Sequence, residues 1–285
     1  MKKLGHYLSL IKFSHTIFAL PFALTGYVMG LRNTNAEPTI IIGILLCMVF
    51  ARSAAMAFNR YLDREFDAKN PRTALREIPS GIISASSALR FTILNSALFM
   101  AAAYFINLTC FLLSPVALLV ILGYSYTKRF TSLCHLVLGL GLSLAPAGAY
   151  IAVTNSMHLA VVLLSLAVIS WVSGFDIIYA LQDDEFDKSQ GLFSIPSQRG
   201  RKNALQISRV LHAFTVILIL GCGYLYNLHF VYVIGAGIFS LLLFYQQILV
   251  KPSDLSKVNL AFMTTNGIAS IVFAGFAITD MVIFG

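Results

Sequence analysis

Asn59-Arg60-Tyr61-Leu62-Asp63-Arg64-Glu65-Phe66-Asp67 closes one long apolar segment, and Gln182-Asp183-Asp184-Glu185-Phe186-Asp187 closes another 120 positions later. Seven of the chain's 12 acidic residues (Asp63, Glu65, Asp67, Asp183, Asp184, Glu185 and Asp187) lie in these two stretches. In a chain that is 58% hydrophobic, carboxylates gathered twice at one spacing imply a polyanionic pocket assembled from two halves. Such a pocket calls for cations. The likeness runs on into Ile78-Pro79-Ser80-Gly81 after the first cluster and Ile195-Pro196-Ser197 after the second.

The surroundings of the clusters fix the fold class as all-α and multi-pass. A length of 285 residues with 11% charged residues, 22 Phe and a mean hydropathy of +0.81 lies outside the composition of soluble domains. Runs of about 20 apolar residues suffice to cross a bilayer core as helices. Nine such cores are read, over 13–31, 39–58, 88–106, 109–127, 133–153, 159–180, 205–225, 229–249 and 260–282. Met1-Lys2-Lys3 before an apolar run resembles a signal peptide, but the run from Phe13 to Leu31 is of spanning length and lacks a small-residue cleavage site. It is expected to be retained as the first span.

With the N-terminus inside, the 59–90 connection, Lys128, Arg129, the 182–209 connection, Lys251 and Lys257 all fall on the cytoplasmic side, leaving Arg32 alone opposite. Both acidic stretches then face the cytoplasm. The net charge of +8 is largely this topological signal, so the partner it implies is a lipid bilayer and not nucleic acid. Cys47, Cys110, Cys134 and Cys222 are isolated and read as packing residues.

Four spans separate the two motifs, an even number, which returns both to the same side. The organisation expected is a single transmembrane domain over 1–285, built from two related halves and a terminal helix around a central cavity. The two long cytoplasmic connections, 59–87 and 182–204, are expected to cap it.

On a helix Asn59, Asp63 and Asp67 follow at i, i+4 and i+8 and share a face, and Asp183 and Asp187 repeat the step. Like charges there oppose one another and the negative pole of the helix C-terminus, so something positive must compensate. Hard oxygen donors suit Mg²⁺, which commonly takes one or two protein carboxylates and completes its shell with water and phosphate oxygens. Asn59, Asp63, Asp67, Asp183 and Asp187 are therefore the metal-binding candidates, and two separated sets suit ions bridged by a diphosphate. Basic donors for that diphosphate are Arg60, Arg64, Lys69, Arg72, Lys128, Arg129, Lys188, Arg199, Arg201 and Lys202.

Arg52 lies inside the second span, seven residues before Asn59 and hence on a similar face about two turns deeper. An intramembrane Arg points to a functional site, here one for the anionic group of a second, largely apolar substrate. Asp176 sits equally far before Asp183 and needs a partner, for which Arg52 or a basic loop residue is the expectation. Lys12 and His15, at the opening of the first span, read first as helix-end residues and second as cavity lining.

These residues resemble the UbiA superfamily of intramembrane aromatic prenyltransferases over essentially the whole chain. The family has nine transmembrane helices around a cavity, a first motif N-D-x-x-D-x-x-x-D and a second D-x-x-x-D. Asn59, Asp63 and Asp67 match the first, and Asp183 with Asp187 the second. Tyr124 and Lys128 resemble the family's Y-x-x-x-K element, while Asp176 and Tyr179 match its lead-in to the second motif. The departure is Arg60, where the common pattern has Asp, which leaves the ion count open. Arg52 is similar to the residue that in the 4-hydroxybenzoate branch meets the acceptor's carboxylate. Ile11-Lys12-Phe13-Ser14-His15-Thr16, Ala19-Leu20-Pro21-Phe22 and Ala51-Arg52-Ser53-Ala54-Ala55-Met56 look like a bacterial subgroup linked to menaquinone made by the futalosine route.

The resemblance implies Mg²⁺-dependent transfer of a polyprenyl group from its diphosphate to a ring carbon of a small carboxylated aromatic acceptor, at the cytoplasmic face of a bacterial inner membrane. The acceptor is of the 4-hydroxybenzoate type, for quinone biosynthesis, or alternatively 1,4-dihydroxy-6-naphthoate for menaquinone. Substrate contacts are expected from Arg52, Asn59, Arg60, Arg64, Arg72, Tyr124, Lys128, Arg129, Asp176, Tyr179 and Lys188, with Asp63 and Asp183 catalytic and Asp183 as the base. Transfer to haem or to a chlorophyll precursor fits Arg52 less well. A secondary transporter with acidic ion sites is the reading from another class, and it places acids near the bilayer midplane instead of at helix ends.

Overall fold

A computed structural model describes residues 6–7, 9–10, 18–32, 34, 37 and 39–285. Among the described residues the chain is helical apart from loops and a single isolated bridge between Lys251 and Asp254. The main helices are α1 (Leu20–Leu31), α2 (Ile40–Leu62), α3 (Arg64–Lys69), α4 (Ala85–Ile106), α5 (Leu108–Thr127), α6 (Cys134–Thr154), α7 (Leu159–Ala180), α8 (Asp184–Ser189), α9 (Ile195–Leu225), α10 (Phe230–Leu249) and α11 (Asn266–Phe284). Among the described residues, eight helical segments are long and apolar enough to cross a bilayer. Apolar side chains such as Ile93, Phe105, Leu119, Ile217 and Phe244 are exposed on their outer faces, as expected of an integral membrane protein bathed in lipid. Of the span expected over 13–31, α1 accounts for 12 residues, while Lys12, His15 and the residues up to 17 lie outside the described set.

Helix α7 is the buried centre, flanked by α6 and α9. Its Trp171 donates through Nε1 to Asn266 Oδ1 at 2.9 Å, and Asn266 Nδ2 donates to the carbonyls of Ala261 (3.1 Å) and Phe262 (2.9 Å). These bonds secure a π-helical turn, Leu260–Thr265, at the entrance to α11. Small residues let other helices close up. A Cβ on Gly26 of α1 would collide with the backbone of Pro146 on α6, and one on Gly139 of α6 would meet Ile169 of α7. At the far end, fully buried Asp280 of α11 accepts from the backbone N–H of His229 and of Tyr232, each at 2.9 Å. It thereby caps α10, whose own N-cap residue offers no side-chain bond.

The two motif regions share a local plan that periodicity alone does not give. The helical face expected to run unbroken through Asn59, Asp63 and Asp67 is interrupted at Asp63 (φ −89°, ψ 5°), and the second copy breaks likewise at Asp183 (φ −114°, ψ 7°). A six-residue helix follows each break. An unbroken helix would stack like charges on its negative pole, and the break lets each carboxylate find its own cation. Beyond the short helices, Gly81 and Gly200 both adopt φ 75°, a left-handed turn that glycine permits. In the second copy Ile195-Pro196-Ser197 already forms the first turn of α9, under a capping box between Ser194 and Ser197. The two connections are thus largely folded into short helices and turns.

Candidate active site

A cavity of about 910 Å³ opens between the two motif regions. Its inner wall is apolar, built from Ile44, Met48 and Ala51 of α2, Ala117 and Ile121 of α5, and Leu138, Gly141 and Ala145 of α6. Its mouth is ringed by paired charges. Asp63 accepts from Asn59 Nδ2 at 3.0 Å and from Arg129 Nη2 at 3.1 Å. Asp67 faces Arg76 at 2.6 Å, and Asp187, 1% exposed, faces Lys128 Nζ at 2.7 Å. Asp183 takes both sides of a fork from Arg72, with Nε at 2.9 Å and Nη2 on the other oxygen, and also accepts from Asn70 Nδ2 at 3.0 Å. Arg72 Nη1 donates to the Tyr179 hydroxyl at 3.0 Å, and the Tyr179 ring packs on Phe262 with centroids 4.2 Å apart.

This arrangement holds charge in a dry setting. Burial pushes the Asp63 carboxyl up to about 6, against the pull of Arg129. Burial also works against the Lys128 ammonium and the Arg72 guanidinium, but Asp187 and Asp183 outweigh it and hold both above their ordinary values. They stay cationic under any physiological condition.

All five metal-ligand candidates, Asn59, Asp63, Asp67, Asp183 and Asp187, line the cavity. Among the described residues, Oδ2 of Asp67 and Oδ2 of Asp187 are buried without a hydrogen-bond donor, which is costly for a carboxylate and relieved by a cation. Among the same residues no three acidic or imidazole groups converge as a ready-made metal cage. Oxygen donors spread over two walls fit Mg²⁺, which fills the rest of its shell with water or phosphate.

Of the expected substrate contacts, Arg52, Arg60, Tyr124, Lys128, Arg129, Arg72, Asp176 and Tyr179 also line the cavity. Arg60 is 5% exposed, and its Nε has no acceptor among the described residues. Two of the expected residues are not among those that line the cavity. Arg64, just past the break at Asp63, turns away from the cavity and lies over the Tyr61 ring at 4.8 Å, while Lys188 is exposed on α8. The partner of Asp176 is also neither Arg52 nor a loop cation. It is His135, whose Nδ1 lies 2.7 Å from Asp176 Oδ2. Sequence reasoning passed over His135, Asn70 and Arg76. The four-residue step from Arg72 to Arg76 was a usable signal for the last, and a histidine entering an apolar span for the first.

The model of the UbiA prenyltransferase family matches residues 19–268. The chain belongs to this family. It is 31% identical over 273 residues to the 4-hydroxybenzoate octaprenyltransferase of Photobacterium profundum, covering 96% of this chain and 92% of that protein. It is 32% identical over 256 residues to the enzyme of the same name from Tolumonas auensis, covering 88% of each. Among solved structures, the apo form of a UbiA homolog from Aeropyrum pernix K1 superposes with a TM-score of 0.85 at 33% identity, over 94% of this chain and 98% of that one. This UbiA-family protein is accordingly a prenyltransferase and an integral membrane protein.

Proposed function

We propose that the chain transfers a polyprenyl group from polyprenyl diphosphate to a ring carbon of a carboxylated phenolic acceptor of the 4-hydroxybenzoate type. The observation that carries this reading is the ring of carboxylate–cation pairs, Asp63–Arg129, Asp67–Arg76, Asp183–Arg72 and Asp187–Lys128, at the mouth of an otherwise apolar cavity. Arg72, Arg76, Lys128 and Arg129 meet the diphosphate and offset the charge that develops as it leaves. Mg²⁺ held by Asn59, Asp63 and Asp67 on one wall and Asp183 and Asp187 on the other would supply further positive charge against the diphosphate. The apolar wall receives the isoprenoid tail and keeps water from the allylic cation. Arg52, with Arg60 above it, binds the acceptor's carboxylate, a role supported by the names of the curated relatives. Tyr124 and Tyr179 flank the reacting end, where Asp63 and Asp183 stand.

We take the whole chain as one domain of nine spans in two related halves. The connections 59–87 and 182–204 cap the mouth on the cytoplasmic side of a bacterial inner membrane, as the distribution of Lys and Arg supports.

Mass spectrometry of products from purified protein given Mg²⁺, a polyprenyl diphosphate, and 4-hydroxybenzoate in competition with 1,4-dihydroxy-6-naphthoate tests it. Prenylated 4-hydroxybenzoate is the expected product. Prenylation of the naphthoate alone moves the chain to menaquinone synthesis, and no prenylated product from either overturns the acceptor class.

A further inference from the structure

We propose that Asp176, held by His135, takes the proton from the ring carbon that becomes prenylated. This assignment rests on the function proposed above and adds His135 as its positioning residue.

The geometry separates Asp176 from the motif carboxylates of the cavity. Asp63, Asp67, Asp183 and Asp187 are each paired with an Arg or Lys, and Asp183, the base expected from sequence, has Arg72 on both oxygens and Asn70 on one. A carboxylate so neutralised is a weak base. Asp176 instead is held by an imidazole. The backbone N–H of Ile195 donates to His135 Nε2 at 3.2 Å, so that nitrogen is the acceptor and the ring proton sits on Nδ1, directed at Asp176 Oδ2. Ser173 Oγ holds the His135 carbonyl at 3.1 Å, and His135 itself is 2% exposed. The ring is therefore locked from three sides by α6, α7 and the start of α9. The imidazole occupies Oδ2, while among the described residues no hydrogen bond takes Oδ1 and Asp176 lines the cavity.

Depth supports the same assignment. Asp176 precedes Asp183 by seven residues, as Arg52 precedes Asn59, so both lie about 10 Å inward of their motifs, at matching levels in the two halves. An aromatic acid anchored on Arg52 lies at the level of Asp176 and below the diphosphate. In the reaction the allylic C–O bond breaks, with its electron pair leaving on the diphosphate. A π pair of the ring forms the new C–C bond. The proton on that ring carbon passes to Asp176 Oδ1, and the C–H pair restores the aromatic ring.

The test uses the full-length protein with Mg²⁺, a polyprenyl diphosphate, and 4-hydroxybenzoate with hydrogen or deuterium ortho to the hydroxyl. Asp176→Asn is expected to lower kcat by about 10²–10⁴-fold with little change in acceptor KM, and to show a primary deuterium effect on kcat that the wild type lacks. His135→Ala lowers kcat less. His135→Asn, which keeps a donor toward Asp176, recovers part of that loss, and His135→Ala adds nothing to Asp176→Asn. If Asp176→Asn does not fold, the deuterium effect in His135→Ala decides: its appearance supports the assignment and its absence overturns it. Wild-type kcat in a folded Asp176→Asn, or a loss confined to acceptor KM, overturns the assignment alone. Failure of the wild type to prenylate either acceptor overturns the proposed function and this inference with it.

Discussion

Arg72 and Asp183 join the two halves of the site across 111 positions of sequence, with Nε 2.9 Å from Oδ1 and Nη2 on the other oxygen. Arg72 comes from the connection after the first motif, and Asp183 opens the second. The same guanidinium reaches the Tyr179 hydroxyl, and Asn70, two residues earlier, reaches Asp183 as well. One short segment thus bridges the first motif's connection and the helix carrying the second.

Arg72→Ala should uncouple the halves. It leaves Asp183 with Asn70 alone and exposes a largely buried carboxylate to a dry surrounding. Arg72→Ala, Asp183→Asn and the double variant form a cycle in which the coupling, read from denaturation in detergent, is expected at roughly 1–3 kcal/mol. Additive effects would dissolve the bridge.

Lys128→Ala should destabilise more than its partner's replacement. Asp187 is 1% exposed, so removing its ammonium strands a buried charge, at about 3–5 kcal/mol. Adding Asp187→Asn to Lys128→Ala should restore much of the melting temperature without restoring affinity for polyprenyl diphosphate. Recovery of both together would show that the pair serves folding alone.

The spans were legible because about 20 apolar residues bounded by polar ends admit few readings in a bilayer. Arg52, Asn59, Asp63, Asp183 and Asp187 were legible as cavity residues because helical spacing fixes which of them share a wall. Periodicity missed what depends on contacts between helices. His135 finds Asp176 across 41 positions, Asp280 caps a helix it does not belong to, and Asn70 reaches Asp183 from a turn. Arg64 was named for its charge; five residues after Asn59 it lies off the face that Asn59 and Asp63 share, and it sits over the Tyr61 ring.

Metal binding should depend on the diphosphate. With no three-carboxylate cluster among the described residues, the carboxylates of one wall offer an ion few protein donors. Mn²⁺, followed by electron paramagnetic resonance, is expected to bind tightly only when a non-hydrolysable prenyl diphosphate analogue is present. Asp67→Ala should weaken that binding by about 10–100-fold, since Asp67 Oδ2 is buried without a donor among the described residues. Chelation of divalent ions should abolish transfer. Equally tight Mn²⁺ binding without the analogue would refute the shared site.

Asp280 offers a test in which stability and catalysis part company. It lies near the end of α11, outside the cavity lining, and its carboxylate takes the N–H groups of His229 and Tyr232 at the start of α10. Those donors have no helical acceptor of their own, and the carboxylate that takes them is fully buried. Asp280→Ala should therefore cost about 1–3 kcal/mol, seen as a lower melting temperature in detergent, with the rate of prenyl transfer by the folded fraction unchanged. Asp280→Asn keeps one acceptor oxygen and should lose less. An unchanged melting temperature in Asp280→Ala would mean that α10 satisfies its first turn by other bonds, and a selective loss of transfer would extend the active site to the far end of the bundle.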